Sequence, residues 1–291
     1  MERAPMRAGL PARQLARPTG EITTAKQWVA GALGALLTID GAELERITQT
    51  AFAEGRVVTA REETLAPDSP PPSALYLHRP VPDEVAAPIT LTVVGAGDGW
   101  LAIDKPSGLA TMPRGSYVAR SAVVQARRQF GNDAIIPAHR LDRLTSGVLL
   151  LVTDPARRAE IQGWFARGLV TKHYRAVTAP GPVALADGDW HDIRLRLARK
   201  DGTLPTLIVP GEPNTHTRVR VIATSEHWQW ELIPVTGRTH QLRATLAHLG
   251  APICGDPLYP VVAPTDDPRW VSGLGLRSCS LVTPEFQVSV P

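Results

Sequence analysis

The chain has 291 residues, 43% of them hydrophobic and 20% charged, and a net charge of +3, values that fit a soluble globular protein of one large or two smaller domains. Its two cysteines, Cys254 and Cys279, are too few for a disulfide framework or a four-cysteine zinc site, so a cytoplasmic setting is expected. No apolar run approaches the ~20 residues that cross a bilayer, so no helical membrane span is expected.

Residues 1–20 carry Pro5, Pro11 and Pro18 among arginines, with no apolar stretch of the kind a secretory signal needs, and they are expected to form a disordered tail. Within residues 21–66, the stretches Ala25 to Leu37 and Leu44 to Ala53 have apolar residues near helical spacing. Glu54-Gly55-Arg56-Val57-Val58 then reads as a helix stop followed by a short strand. The stretch from Pro67 to Pro88 holds seven prolines, both ends included, which predicts an extended linker over 67–88.

From residue 89 onward strands and helices alternate. Trp100 to Ile103 reads as a strand ending in the turn cluster Asp104-Lys105-Pro106-Ser107-Gly108, and Val118 to Phe130 as an amphipathic helix closed by Gly131. The apolar run Gly147 to Val152 predicts a strand buried on both faces. Asp154 and Pro155 are suited to the cap and first position of a helix reaching about Arg167. Tyr174 to Thr178, Asp192 to Leu197, Thr217 to Ile222 and Trp228 to Val235 read as strands, and Thr239 to Leu249 as a helix stopped by Gly250. Strands outnumber helices without regular crossovers. An α+β fold with a mixed, mostly antiparallel central sheet is therefore expected over 89–291, with a small α+β module before it.

Only four of the 31 basic residues are lysines. A GC-rich coding sequence would produce this bias, and so would phosphate binding by guanidinium forks. Clustering favours the second: Pro113 to Arg158 holds eight arginines and three aspartates with no lysine or glutamate, the footprint of a nucleic-acid binder. Inside that patch lies His139-Arg140-Leu141-Asp142-Arg143-Leu144-Thr145-Ser146-Gly147, a polar loop leading into a core strand. An arginine approaching Asp142 would depress its pKa, and an ionised carboxylate in a cationic pocket can act as a nucleophile. A structural salt bridge or helix cap fits the same residues. A second segment, Thr236-Gly237-Arg238-Thr239-His240-Gln241-Leu242-Arg243, reads either as a strand-to-helix turn that accepts a phosphate or as a solvated first helical turn.

Taken together, these segments resemble the HRLDxxTSG and GRTHQLR motifs of the RluA family of pseudouridine synthases. Asp104-Lys105-Pro106 with Gly108-Leu109 resembles the family's DKPxGL turn, and Lys172-His173-Tyr174-Arg175-Ala176 its KxYxA strand. Leu249 to Tyr259 resembles its LGxPIxGDxxY segment. The resemblance spans about residues 90–260 and implies the family's fold for residues 89–291. It also implies isomerisation of specific rRNA or tRNA uridines to pseudouridine without cofactor or metal.

By the same resemblance Asp142 stands where the family has its essential aspartate. That group is a nucleophile toward ribose C1′ or the uracil ring in one mechanism and a base on the ribose in another. Tyr174 matches the tyrosine that stacks on the target uracil, and Arg243 the basic partner of the aspartate. Arg140 matches an arginine that fills the gap left by an extruded base. His139, Arg143, Arg238, Gln241, Arg114 and Lys105 are expected at the RNA-binding surface, His139, Gln241 and Arg238 chiefly as loop-positioning groups. His240 is expected to be a structural hydrogen-bonding histidine. Residues 21–66 faintly resemble the small ribosomal-protein-type RNA-binding module attached to many of these enzymes, although Arg46, Arg56 and Arg61 are set against Glu43, Glu45, Glu54, Glu62 and Glu63. RNA is the expected partner, no obligate protein partner is evident, and a monomer is expected. The alternatives are a catalytically silent RNA-binding or assembly protein of the same fold, and a metal-dependent hydrolase using His139, Asp142 and His240. The hydrolase lacks paired histidines on one helix.

Overall fold

The computed structural model describes residues 4–80, 89–113, 118–200, 202–271 and 273–290. The chain divides into two compact units, Met1–Ala87 and Pro88–Pro291.

In the first unit, β1 (Met6–Arg7) and β2 (Leu10–Pro11) form a small hairpin, followed by β3 (Arg13–Gln14), α1 (Ala25–Gly34), α2 (Gly41–Ala53), β4 (Val57–Val58) and β5 (Tyr76–Leu77). Thr24 and Gln27 close a capping box on α1, and Asp40 caps α2 through the Glu43 N–H. The helices bury Trp28, Val29, Ala51 and Phe52 with Val57. Two expectations are corrected here. Residues 4–20 are not a disordered tail, since Leu10, Ala12 and Leu15 are buried and β3 pairs with β5. The stretch 67–80 is not a plain linker, since β5 is the central strand of the order β3-β5-β4 and Leu75 joins the core. Prolines bar long regular elements in both stretches, but two-residue strands and single apolar side chains still fill the helix pair's open side. Residues 81–88 of the expected linker lie outside the described residues.

The second unit opens with β6 (Thr92–Gly97), β7 (Trp100–Lys105), α3 (Ala122–Phe130), β8 (Ile136–Pro137) and β9 (Ser146–Val152). There follow α4 (Arg158–Ala166), β10 (Thr171–Thr178), β11 (His191–Leu195), β12 (Leu197–Ala198), β13 (Leu207–Ile208), β14 (Thr215–Ala223) and β15 (Trp228–Pro234). It closes with α5 (Gln241–His248), β16 (Leu276–Val282) and β17 (Gln287–Ser289). One ten-stranded sheet runs β11-β14-β15-β10-β16-β9-β7-β6, with β17 on β16 and β8 on β9. Its pairings are antiparallel except where β16 meets β9, so the sheet is mixed and mostly antiparallel, as expected.

Burial explains the sequence patterns. Leu149 and Leu151 of β9 pack with Ile103 and with Ala122 and Val123 of α3. Val148, Leu150 and Val152 pack on the opposite face with Ile161 and Trp164 of α4. Both faces of β9 are covered, so its sequence is continuously apolar. β14 and β15 bury alternate residues only, Val219 opposite Leu232 and Val221 opposite Trp230, so they alternate. The helix ends follow local chemistry. Gly131 is left-handed (φ +60°) and ends α3, and the Asp154 carboxylate accepts the Ala156 N–H.

β16 lies between β10 and β9 and sets their register. Tyr174 stands opposite Ser278, and Ser278 opposite Gly147. Gly147 has φ +104°, and a Cβ there would lie 2.0 Å from the Ser278 carbonyl oxygen. Gly147→Ala is therefore expected to cost about 3 kcal/mol or more, because backbone strain adds to an overlap that no rotamer can relieve. A wild-type melting temperature for this variant would contradict the close approach.

Candidate functional site

The loop between β8 and β9 carries Asp142, and its backbone is held from beneath by the turn after β7. Lys105 is fully buried (0% exposed), and its Nζ donates to the carbonyls of Pro106 (3.0 Å), Leu109 (2.7 Å) and Arg143 (3.1 Å). Three acceptors match the three N–H bonds of an ammonium. Burial pulls its pKa down to about 7, with the Asp142 and Asp104 charges acting against that shift and Arg143 with it. Ser107 Oγ donates to the Leu144 carbonyl at 2.7 Å, Thr111 Oγ1 to the Leu141 carbonyl at 2.8 Å, and the Gly108 N–H to the Arg143 carbonyl at 2.9 Å. The carbonyls flanking Asp142 are thus pinned, and a pinned loop aims its side chain.

Arg243, on the first turn of α5, is 3% exposed. Its Nε and Nη2 donate to the two Asp256 carboxylate oxygens at 2.8 and 2.6 Å, and its Nη1 lies 3.4 Å from Asp142 Oδ2. Burial alone would lower the guanidinium's pKa, but the two carboxylates more than offset it and hold the value above arginine's ordinary one. Asp256 is 2% exposed and also accepts the N–H groups of Leu258 and Tyr259. One buried carboxylate therefore anchors the arginine, and the arginine tethers a second carboxylate that remains partly open to solvent.

A cavity of 990 Å³ opens over Asp142, at the upper end of the range for small-ligand sites. Tyr174 and Arg243 line it with Asp142, and His139, Arg140, Arg238 and Gln241 also lie on its wall. Tyr174 is 8% exposed, and burial above all holds its phenol pKa well above the ordinary range, so the hydroxyl is a proton donor at neutral pH. Arg140 and Arg238 are exposed, within reach of a polyanion.

Several expected RNA-binding residues have other roles. Lys105 cannot reach a nucleic acid, because its ammonium is enclosed by backbone carbonyls. Gln241 is buried: its Oε1 accepts from Thr236 Oγ1 and the Arg238 N–H, and its Nε2 donates to the His216 carbonyl and Thr217 Oγ1. All its hydrogen-bonding capacity goes to folding the 236–241 turn and docking it on β14. His139 Nε2 accepts the Leu150 N–H at 3.1 Å, and its ring stacks on Phe165. Burial, with help from the Lys172 charge, pushes its pKa down to about 3, so it is a neutral anchor and not a phosphate-binding cation. Arg143 donates to the Trp270 carbonyl and is not on the cavity wall. Arg114 lies outside the described residues.

Sequence reasoning missed two groups. Asp256 sat inside a recognised motif, and only its pairing with Arg243 gives it a role. Lys172, two residues before Tyr174, lines the cavity. Burial lowers its pKa, with no carboxylate acting against that shift, and a Cβ at Gly237 would stand 3.7 Å from its Nζ. Its place at the head of the KxYxA strand was the available signal. Among the described residues no group of three or more His, Cys, Asp or Glu could hold a metal ion, and no helix is long and apolar enough to cross a membrane.

This geometry can be set beside known proteins. The sequence profile of a family described as RNA pseudouridylate synthase matches residues 99–248. Over 179 residues the chain is 34% identical to an uncharacterized RNA pseudouridine synthase of Synechocystis, spanning 60% of each protein. Over 182 residues it is 33% identical to the dual-specificity RNA pseudouridine synthase RluA of Pasteurella multocida, spanning 58% of this chain and 77% of that one. The fold is similar to that of human RNA pseudouridylate synthase domain containing 1, with a TM-score of 0.57 and 23% identity over 71% of this chain and 85% of that one. The chain belongs to the RluA family of RNA pseudouridine synthases. The match takes in less than two thirds of the Synechocystis protein's length and about half of several other relatives'.

Proposed function

We propose that this protein isomerises uridine in ribosomal or transfer RNA to pseudouridine, with Asp142 acting on the target nucleotide. The N1–C1′ bond breaks, the base turns, the C5–C1′ bond forms, the C5 proton leaves to solvent and N1 takes one up. The observation that carries this reading is the Asp142 carboxylate, open to a cavity that can hold a nucleotide while tethered to buried Arg243. A carboxylate aimed in advance, beside a cation that is itself fixed, needs little reorganisation when charge shifts at the ribose. Tyr174 offers an aromatic wall for a flipped pyrimidine, and its phenol oxygen can take the C5 proton as its own hydrogen passes on toward solvent. Arg140, exposed at the cavity wall, is suited to filling the space an extruded base leaves.

The test is tritium release from RNA labelled at uracil C5, with rRNA and tRNA transcripts as separate substrates. Release from one pool is expected and names the substrate class. No release from either pool by a protein with a normal melting transition overturns the reading, and RNA binding without release would mark a catalytically silent binder. Lys172 supplies a second test. As a cation on the cavity wall that forms no ion pair with a carboxylate among the described residues, it is suited to a phosphate of the bound strand, so Lys172→Met should weaken RNA binding. The slope of log affinity against log salt should fall by about one. An unchanged slope would take Lys172 off the RNA.

A further inference from the structure

His240 precedes α5 with φ +57°, a left-handed conformation uncommon for a residue other than glycine. The strained backbone carries its imidazole onto the cavity wall, where Nε2 lies 4.0 Å from Asp142 Oδ2. Its other nitrogen, Nδ1, lies 3.4 Å from the Tyr259 hydroxyl, and the two rings meet edge to face. Counting hydrogens on that hydroxyl fixes the tautomer. The Tyr259 O–H donates to the Thr206 carbonyl at 2.8 Å, and the Thr206 N–H donates to the Tyr259 oxygen at 2.8 Å. The phenol's single hydrogen is committed and one lone pair remains, so Nδ1 meets Tyr259 only as an N–H donor. Burial, as the main cause, lowers the His240 pKa, and a neutral imidazole has one N–H. Nε2 is therefore a bare acceptor.

Two acceptors, Nε2 and the Asp142 carboxylate, thus face one cavity 4.0 Å apart. Such a pair requires a donor from the ligand. A uridine inside an RNA strand carries two donors, N3–H and the 2′-hydroxyl. N3 is three bonds from C1′ through the base, whereas the 2′-hydroxyl is on the carbon next to C1′, the ribose atom whose bonds to the base break and re-form. We propose that His240 Nε2 accepts a hydrogen bond from the 2′-hydroxyl of the target nucleotide and makes the site selective for ribose over deoxyribose. This rests on the isomerase reading. The 2′-hydroxyl is also the group that separates RNA from DNA chemically, so the histidine would add to substrate choice without entering the bond-breaking step.

The experiment is a two-by-two comparison of kcat/KM. An RNA oligonucleotide spanning the mapped target, with uridine or a single 2′-deoxyuridine at that position, is turned over by wild type and by His240→Ala. Wild type should lose about tenfold on the deoxy substrate, the scale of one hydrogen bond in a desolvated site. His240→Ala should lose a similar factor on the ribose substrate and little more on the deoxy one, so that its ribose preference collapses. His240→Asn, which tolerates the left-handed backbone, provides a folded control should the alanine variant melt early. Equal losses on both substrates, or no ribose preference in wild type, overturn the proposal while leaving the isomerase reading intact. No turnover of the ribose substrate by wild type overturns both.

Discussion

Asp142→Asn is expected to lower turnover by on the order of 10⁴-fold or more, the scale of removing a group that acts directly on the substrate. The amide keeps the shape of the side chain but is neither a nucleophile nor a base. Binding should survive, because the other cations on the cavity wall, Arg140, Arg238 and Lys172, are untouched. Folding should survive too. The loop carbonyls around Asp142 remain pinned by Lys105, Ser107 and Thr111. Arg243 also keeps its shorter, bidentate partner Asp256 when the 3.4 Å contact to Asp142 loses its charge. RNA affinity within a few-fold of wild type, an unshifted melting transition and absent tritium release together make the expected result. Retained turnover would remove Asp142 from the chemistry.

Asp256→Ala should give the largest stability loss of any single polar substitution around the cavity. Four hydrogen bonds converge on this carboxylate, two from Arg243 and two from backbone N–H groups. Its removal leaves a guanidinium, 3% exposed, with one looser carboxylate for company. Leaving a buried charge without its partner costs about 3–5 kcal/mol, which for a unit of this size lowers the melting temperature by roughly 6–20 °C. Activity at temperatures where the variant is still folded should fall as well, because Arg243 then swings free of the anchor that aims it at Asp142. Asp256→Asn keeps the shape and should lose less stability. A melting temperature within about 2 °C of wild type for the alanine variant would show that the Asp256–Arg243 pair does not hold the site together.

The sequence disclosed the local devices well because each depends on neighbours in the chain. Gly131 ends α3 and Asp154 caps the turn before α4 because a left-handed residue or a side-chain acceptor acts within a few positions. The run Val148 to Val152 and the alternation in Trp228 to Pro234 report whether one or two faces of a strand are covered. The strand Leu276–Val282 escaped notice. Its Arg277, Ser278, Cys279 and Ser280 weaken the apolar signal, yet it occupies the middle of the sheet. Expected tail and linker residues proved to be core because Leu15 and Leu75 find their partners across the first unit and not along the chain.

For the site, the sequence by itself supplied the motif residues: Asp142 with its arginines, Tyr174, and Arg243 one turn into a helix. A motif names residues but not what each side chain faces. Lys105, Gln241 and His139 are expected at the RNA-binding surface from their motifs, Gln241 and His139 chiefly as loop-positioning groups. Tertiary packing turns all three inward, to three carbonyls, to the 236–241 turn and to β9 respectively. Only the tertiary structure decided that Asp256 fixes Arg243, that Lys172 stands on the cavity wall, and that Tyr259 sets the tautomer of His240. The physical reason is common to all of them. Hydrogen-bond capacity and charge are properties of a residue type and can be read from the chain, whereas the partner that uses them, 13 positions on for Arg243 and 53 positions back for Tyr259, is chosen by the fold.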